Sequence, residues 1–85
     1  MTLRIERDLD GGTTTLRLMG QLRSDSLEEL QEQMRGSQSQ VVVDLGEVTL
    51  VDVDTVRFLA SCESDGVMVL HCPLYLRDWI HRERK

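Results

Sequence analysis

The chain has 85 residues and a net charge of −5, with 40% apolar and 29% charged residues. This length fits one domain, residues 1–85, whose core is too small to also enclose a large cofactor cleft. The composition is that of a globular domain and not of a disordered chain, and the negative charge argues against a nucleic-acid partner.

Two features of the sequence predict a cytoplasmic protein that does not insert into a membrane. The longest strongly apolar run, residues 41–43, is far shorter than the ~20 residues of a membrane span. Residues 1–4 lack the apolar stretch of a secretory signal. In a cytoplasm we expect Cys62 and Cys72 to be reduced, and with the two histidines they give no zinc-binding spacing.

The first half of the chain predicts a hairpin followed by a helix. Apolar and polar residues alternate over residues 3–7 and 14–19, which indicates two half-buried strands joined by a glycine turn. Ser26 and Glu29 fit a capping box, and Gly36 fits a C-terminal cap. One apolar stripe of this helix follows at helical spacing: Leu27, Leu30 and Met34.

The second half predicts two further strands, each followed by a helix. Residues 41–45 are typical of a central strand, and residues 48–51 form a second short apolar stretch. A helix follows, with either Asp52 or Asp54 as its cap. After a strand at residues 67–70, Pro73 suits the first position of a terminal helix. Its apolar face would carry Leu76, Trp79 and Ile80.

The resulting order of elements is β-β-α-β-α-β-α, which predicts an α/β fold. The strands at residues 41–45 and 67–70 are separated by a helix, so they should run parallel with a right-handed crossover. We therefore expect a four-stranded mixed sheet with helices mainly on one face.

One motif raises the question of catalysis. The run Asp52-Val53-Asp54-Thr55 after an apolar stretch is similar to the first motif of haloacid-dehalogenase-type phosphatases, in which two aspartates and Mg²⁺ transfer phosphate. The only lysine, however, is Lys85, and that family needs a basic residue at the phosphate. A small Mg-dependent phosphotransfer enzyme using Asp52 and Asp54 therefore stays a weak alternative, and we predict no catalytic residues, metal or cofactor.

Residues 41–52 read Val-Val-Val-Asp-Leu-Gly-Glu-Val-Thr-Leu-Val-Asp. This run resembles the signature of STAS domains, the family of sulfate transporter and anti-sigma factor antagonist domains. Gly20-Gln21-Leu22 resembles the Gly-x-Leu that precedes the family's first helix. The predicted order of elements is also similar to that fold, without the fifth strand and last helix of larger members.

The resemblance implies a switch position at the start of the second helix. In anti-sigma factor antagonists a partner kinase, itself the anti-sigma factor, phosphorylates a serine there, and the phosphate blocks binding. Aligned through Asp52, that serine falls at Asp54, so the usual phosphoacceptor is missing. Asp54 would then mimic phosphate permanently, or the module would bind constitutively, or Asp54 would only cap the helix. Thr55 would be a substitute phosphoacceptor.

The resemblance implies a non-enzymatic binding module of bacterial signal transduction, acting in transcription regulation by partner switching. Its partner would be an anti-sigma factor of the serine-kinase-like ATPase type or, alternatively, the ATPase subunit of a membrane transporter. A third hypothesis is oligomerisation through the sheet edge at residues 3–9. The residues expected to bind the partner are Asp52, Val53, Asp54, Thr55 and Arg57.

Acidic residues are concentrated around this predicted site. Residues 44–65 contain one basic residue, Arg57, whereas the last nine residues of the chain are rich in arginine. Such a stretch favours a basic surface on the partner. The acidic residues of the stretch are Asp44, Glu47, Asp52, Asp54, Glu63 and Asp65.

Overall fold

The computed structural model describes residues 3–35 and 40–83. Within them the predicted order of elements is confirmed, with one short 3₁₀ turn (Ser24–Ser26) added before the first helix. The predicted cap at Gly36 and loop residues 37–39 lie outside the described residues. The strands and helices are β1 (Leu3–Asp10), β2 (Thr13–Leu22), α1 (Leu27–Arg35), β3 (Gln40–Val51), α2 (Val53–Ser64), β4 (Met68–Leu70) and α3 (Leu74–Glu83).

The four strands form one mixed sheet in the order β1-β2-β3-β4. β1 and β2 are the antiparallel arms of the hairpin, and β2 pairs with β3 in parallel. β3 and β4 are also parallel, as the helix between them predicts. One row of the sheet places Leu16, Val43 and Val69 side by side, so residues of three strands share a face.

A single hydrophobic core lies between one face of the sheet and the three helices. Each helix contributes a fully buried side chain to it: Leu30 from α1, Leu59 from α2 and Ile80 from α3. The expectation of helices mainly on one face is therefore confirmed. Trp79 packs against this core and is partly buried. No helix in the described ranges is long and apolar enough to cross a bilayer.

β3 is one strand of 12 residues and not the two short apolar stretches that we expected from the sequence. The register between β2 and β3 shifts between Arg17 and Met19 and again between Gly20 and Gln21. At each shift β3 contributes one residue more than β2, as in a β-bulge. These extra residues let the strand continue through the exposed Gly46.

Two helix starts also differ from the predictions. Ser26 directly precedes α1, but its hydroxyl donates to Asp25 Oδ1 at 3.5 Å and its N–H donates to the Arg23 carbonyl at 2.9 Å, so neither half of the capping box with Glu29 is formed. The capping box is therefore wrong. Pro73 precedes α3 instead of occupying its first position, since the Arg77 N–H donates to the Pro73 carbonyl at 2.9 Å.

The sheet face opposite the helices carries a row of charged side chains. Arg17 Nη1 lies 3.6 Å from Glu6 Oε1, and His71 Nδ1 lies 3.1 Å from Asp44 Oδ1. The same Asp44 oxygen accepts the Gly46 N–H at 2.9 Å. Burial by itself raises the pKa of Asp44, but the hydrogen bonds from Gly46 and His71 outweigh it and hold that pKa below its ordinary value. Asp44 is thus a hydrogen-bonded structural carboxylate.

Replacing Leu59 by Ala should lower the free energy of unfolding by about 2–5 kcal/mol, because it leaves a cavity beneath α2. Leu74→Ala is the matched control, since Leu74 is exposed and its truncation should change stability by less than about 0.5 kcal/mol. Urea denaturation followed by circular dichroism measures both. Equal losses for the two variants would contradict the core described above.

Candidate functional site

The start of α2 follows directly on the end of β3, and Asp52 is the residue between them. Asp52 has extended backbone geometry (φ −111°, ψ 176°), as expected of an N-cap residue. Its Oδ1 accepts the Thr55 N–H at 2.9 Å, and its carbonyl accepts the Val56 N–H at 3.0 Å. Of the two aspartates considered as caps, Asp52 is therefore the one that caps the helix.

The second oxygen of the same carboxylate reaches a different part of the chain. Asp52 Oδ2 accepts the Ser24 N–H at 2.8 Å, so one side chain ties the 3₁₀ turn to the start of α2. Burial by itself raises the pKa of Asp52, but the hydrogen bonds from Ser24 and Thr55 outweigh it and lower the pKa to about 2. Asp52 is thus a charged structural bridge at neutral pH.

Asp54 is the second residue of α2 and is exposed. A carboxylate in the first turn of a helix is stabilised by the N–H groups and the positive end of the helix dipole. The side chain is not needed as the cap, because Asp52 has that role. Asp54 therefore presents its carboxylate to solvent, at the position where the family resemblance predicts the switch residue.

Thr55 differs sharply from its neighbour, because its side chain is fully buried at the start of α2. A kinase needs the hydroxyl to enter its own active site, which would require the first turn of α2 to unfold. This burial argues against Thr55 as a substitute phosphoacceptor and against its direct contact with a partner.

Arg57 lies one turn further along α2 and contacts α3. Its Nε lies 3.2 Å from Glu83 Oε1, so the first turns of α2 are linked to the C-terminal turn of α3. The Arg57 side chain is largely exposed, and such a pair contributes at most about 1 kcal/mol. A partner whose carboxylate binds the Arg57 guanidinium more tightly than Glu83 does could therefore replace Glu83 in this ion pair.

Two apolar side chains lie close in sequence to Asp54 and are open to solvent. Val53 is 40% exposed and Leu50, near the end of β3, is 45% exposed. Leu50 was not among the predicted site residues, because strict strand alternation does not hold after the bulges in β3. We refer to Leu50, Val53, Asp54 and Arg57 as the α2-start surface.

The arrangement gives no support to metal-dependent phosphotransfer by Asp52 and Asp54. Both Asp52 oxygens accept backbone N–H groups, which leaves that carboxylate poorly placed as a nucleophile or metal ligand. Within residues 3–35 and 40–83, no three His, Cys, Asp or Glu side chains are grouped so as to hold a metal ion.

A family model described as "Mlab, STAS domain" matches residues 5–70, which is most of the chain and includes most of β1, all of β2 to β4 and the α2-start surface. The chain belongs to the STAS family. The resemblance read from residues 41–52 is thereby confirmed. The sequence matches no curated protein.

Solved structures show the same fold. A STAS domain described as an anti-sigma-factor antagonist from Rhodobacter sphaeroides superposes with a TM-score of 0.64. The two chains are 21% identical, and the match covers 82% of this STAS domain and 87% of the other chain. At this identity the likeness establishes the four-stranded α/β architecture and not a shared partner.

Replacing Asp52 by Ala should lower the free energy of unfolding by about 2–3 kcal/mol, because two backbone N–H groups lose a charged acceptor. Asp54→Ala is the control, since it removes a neighbouring carboxylate that makes no cap and should cost well under about 1 kcal/mol. Urea titration of the three proteins measures the difference. A loss for Asp54→Ala as large as that for Asp52→Ala would contradict the assignment of the cap.

The stabilisation from Asp52 should also depend on pH. Its pKa is lowered from 3.8 to about 2 on folding, so the stabilising effect is present above pH ~4 and is lost as the pH falls towards 2. The stability difference between the wild-type domain and Asp52→Asn should therefore be constant near neutral pH and shrink between pH 4 and 2. Denaturation curves at a series of pH values measure it, and a difference that grows on acidification would contradict the lowered pKa.

Proposed function

We propose that this STAS domain is a non-catalytic protein-interaction module of the bacterial cytoplasm that docks on its partner through the α2-start surface. The observation that carries the proposal is the exposed carboxylate of Asp54, held in the first turn of a capped helix beside the exposed Val53. Charge with adjacent apolar area is what a docking site offers, since the apolar side chains add affinity and the charge orients the partner.

The partner we propose is a regulatory ATPase of the kinase-like anti-sigma factor type. Of the acidic residues between positions 44 and 65, Asp54 is the one on the α2-start surface, and its exposed carboxylate favours a basic group on the docking face of that partner. Partner binding would make this domain an anti-sigma factor antagonist in function as well as in fold, acting on transcription by partner switching.

We further propose that binding is not switched by phosphate at this helix. Asp54 carries about one negative charge, where a phosphoserine would carry nearly two. A phosphatase can remove the charge of a phosphoserine but not the charge of an aspartate. The neighbouring hydroxyl, on Thr55, is buried. The module would therefore bind constitutively, with its occupancy set by the concentrations of the two proteins.

The absence of a serine at position 54 also favours a second candidate, the ATPase subunit of a membrane transporter. An accessory subunit that stays bound to a transport ATPase needs no phosphorylated residue for release. The docking surface would be the same in both cases, so one set of variants tests both partners.

Charge reversal at Asp54 should weaken binding to the true partner by about tenfold or more, with the fold intact. The measurement is titration calorimetry of the purified domain against each candidate ATPase from the same organism. Asp65→Lys is the matched control, because Asp65 is an exposed carboxylate at the opposite end of α2. Asp54→Lys should lose affinity for one ATPase, and Asp65→Lys should keep it.

Three results would contradict the proposal. One is binding to neither ATPase, and another is equal binding by Asp54→Lys and the wild-type domain. The third is a phosphorylated residue in the first turn of α2 after incubation with the kinase-like ATPase and ATP, detected by the intact mass and located by peptide fragmentation. That result would replace constitutive binding by a switch.

A further inference from the structure

The two edges of the sheet differ in charge. β1, the edge at the start of the chain, carries charged side chains along its length: Arg4, Glu6, Arg7, Asp8 and Asp10. β4, the opposite edge, reads Met68-Val69-Leu70 and follows Val67, so this stretch carries no charge. Charges on an edge strand oppose pairing with another strand, and an apolar edge permits it.

The β4 edge also exposes large apolar side chains. Met68 is 51% exposed and Leu70 is 37% exposed, and both lie on the sheet face that the helices leave open. Leu74 and Tyr75, at the start of α3, are exposed as well. An exposed apolar group of this kind, next to unpaired backbone N–H and C=O groups, indicates an interaction surface.

We propose that the β4 edge pairs with the β4 edge of a second copy of this chain. The pairing is antiparallel about a two-fold axis at Val69, so that Met68 lies opposite Leu70 of the second copy. Residues opposite each other in an antiparallel pair point to the same face. The dimer therefore contains two contacts between Met68 of one copy and Leu70 of the other, and each contact removes both side chains from solvent.

The ends of the strand bring no charged pair into conflict in the same arrangement. In this register Val67, just before β4, lies opposite His71 of the second copy, and the His71 Nδ1 of each copy lies 3.1 Å from Asp44 Oδ1 of its own chain. No like charges face each other across the axis. Pairing of two β1 edges would instead bring five charged side chains from each copy into the ladder.

The dimer would be weak and would leave the α2-start surface free. A ladder of three residues per strand belongs with interfaces below the ~1,200 Å² typical of stable complexes. The two-fold axis is perpendicular to the sheet, so the helices of both copies lie on the same side of one eight-stranded sheet. The proposal does not depend on the partner proposed above.

The test is sedimentation equilibrium of the purified domain over micromolar to millimolar concentrations. The wild-type domain should show a monomer–dimer equilibrium. Met68→Glu and Leu70→Lys should each raise the dimer dissociation constant about tenfold or more, because each places two charges against apolar side chains. Leu70→Lys suits the fold, since Leu70 lies beside Asp44 of β3.

Mixing the two variants tests the register itself. A heterodimer of Met68→Glu with Leu70→Lys has two cross-strand pairs. In one pair the introduced carboxylate of the first variant faces the introduced ammonium of the second. In the other pair the native Leu70 of the first variant faces the native Met68 of the second. The mixture should therefore dimerise more tightly than either variant alone. Leu9→Lys is the matched control, because Leu9 is an exposed apolar residue on β1, and this variant should dimerise like the wild-type domain.

A wild-type domain that stays monomeric at millimolar concentration would overturn the proposal. So would loss of the dimer in Leu9→Lys, which would assign the interface to the β1 edge. Weakening by both β4 variants without recovery in the mixture would exclude the antiparallel register about Val69. Circular dichroism of each variant confirms that the fold is retained.

Discussion

The start of α2 depends on one carboxylate that accepts hydrogen bonds from two distant parts of the chain. Asp52 is bonded to Thr55 within its own helix and to Ser24, which is 28 residues earlier in the chain. The first bond satisfies an N–H that the helix cannot pair internally, and the second fixes the turn before α1. The 3₁₀ turn before α1 and the first turn of α2 are therefore held together at the end of β3.

The topology was predictable from the sequence because its signals are local. Alternation marks β1 and β2, a continuous β-branched run marks the start of β3, and helical spacing marks α2. The sequence also predicted a helix start at Asp52 to Asp54, and the structure has Asp54 in the first turn of α2.

Other features of the site depend on tertiary contacts that no local pattern shows. At each bulge β3 contributes one residue more than β2, and after the second bulge Leu50 is exposed, which strict alternation of buried and exposed residues does not predict. Ser24 bonds a residue far along the chain, and Thr55 is buried although threonine at a helix start is often exposed. The capping box at Ser26 failed for a local reason: the residue belongs to a 3₁₀ turn, in which its N–H donates to the Arg23 carbonyl and its hydroxyl to the Asp25 carboxylate.

The docking surface that we propose is held in place by Asp52, which has a thermodynamic consequence. Residues that are already ordered lose little conformational entropy when a partner arrives, so little of the contact energy is consumed in ordering them. We therefore expect association with the proposed surface to resemble rigid-body docking, with backbone shifts of ~1 Å or less. The heat capacity change on complex formation should then reflect the apolar area of the contact itself, without the added component that accompanies coupled folding.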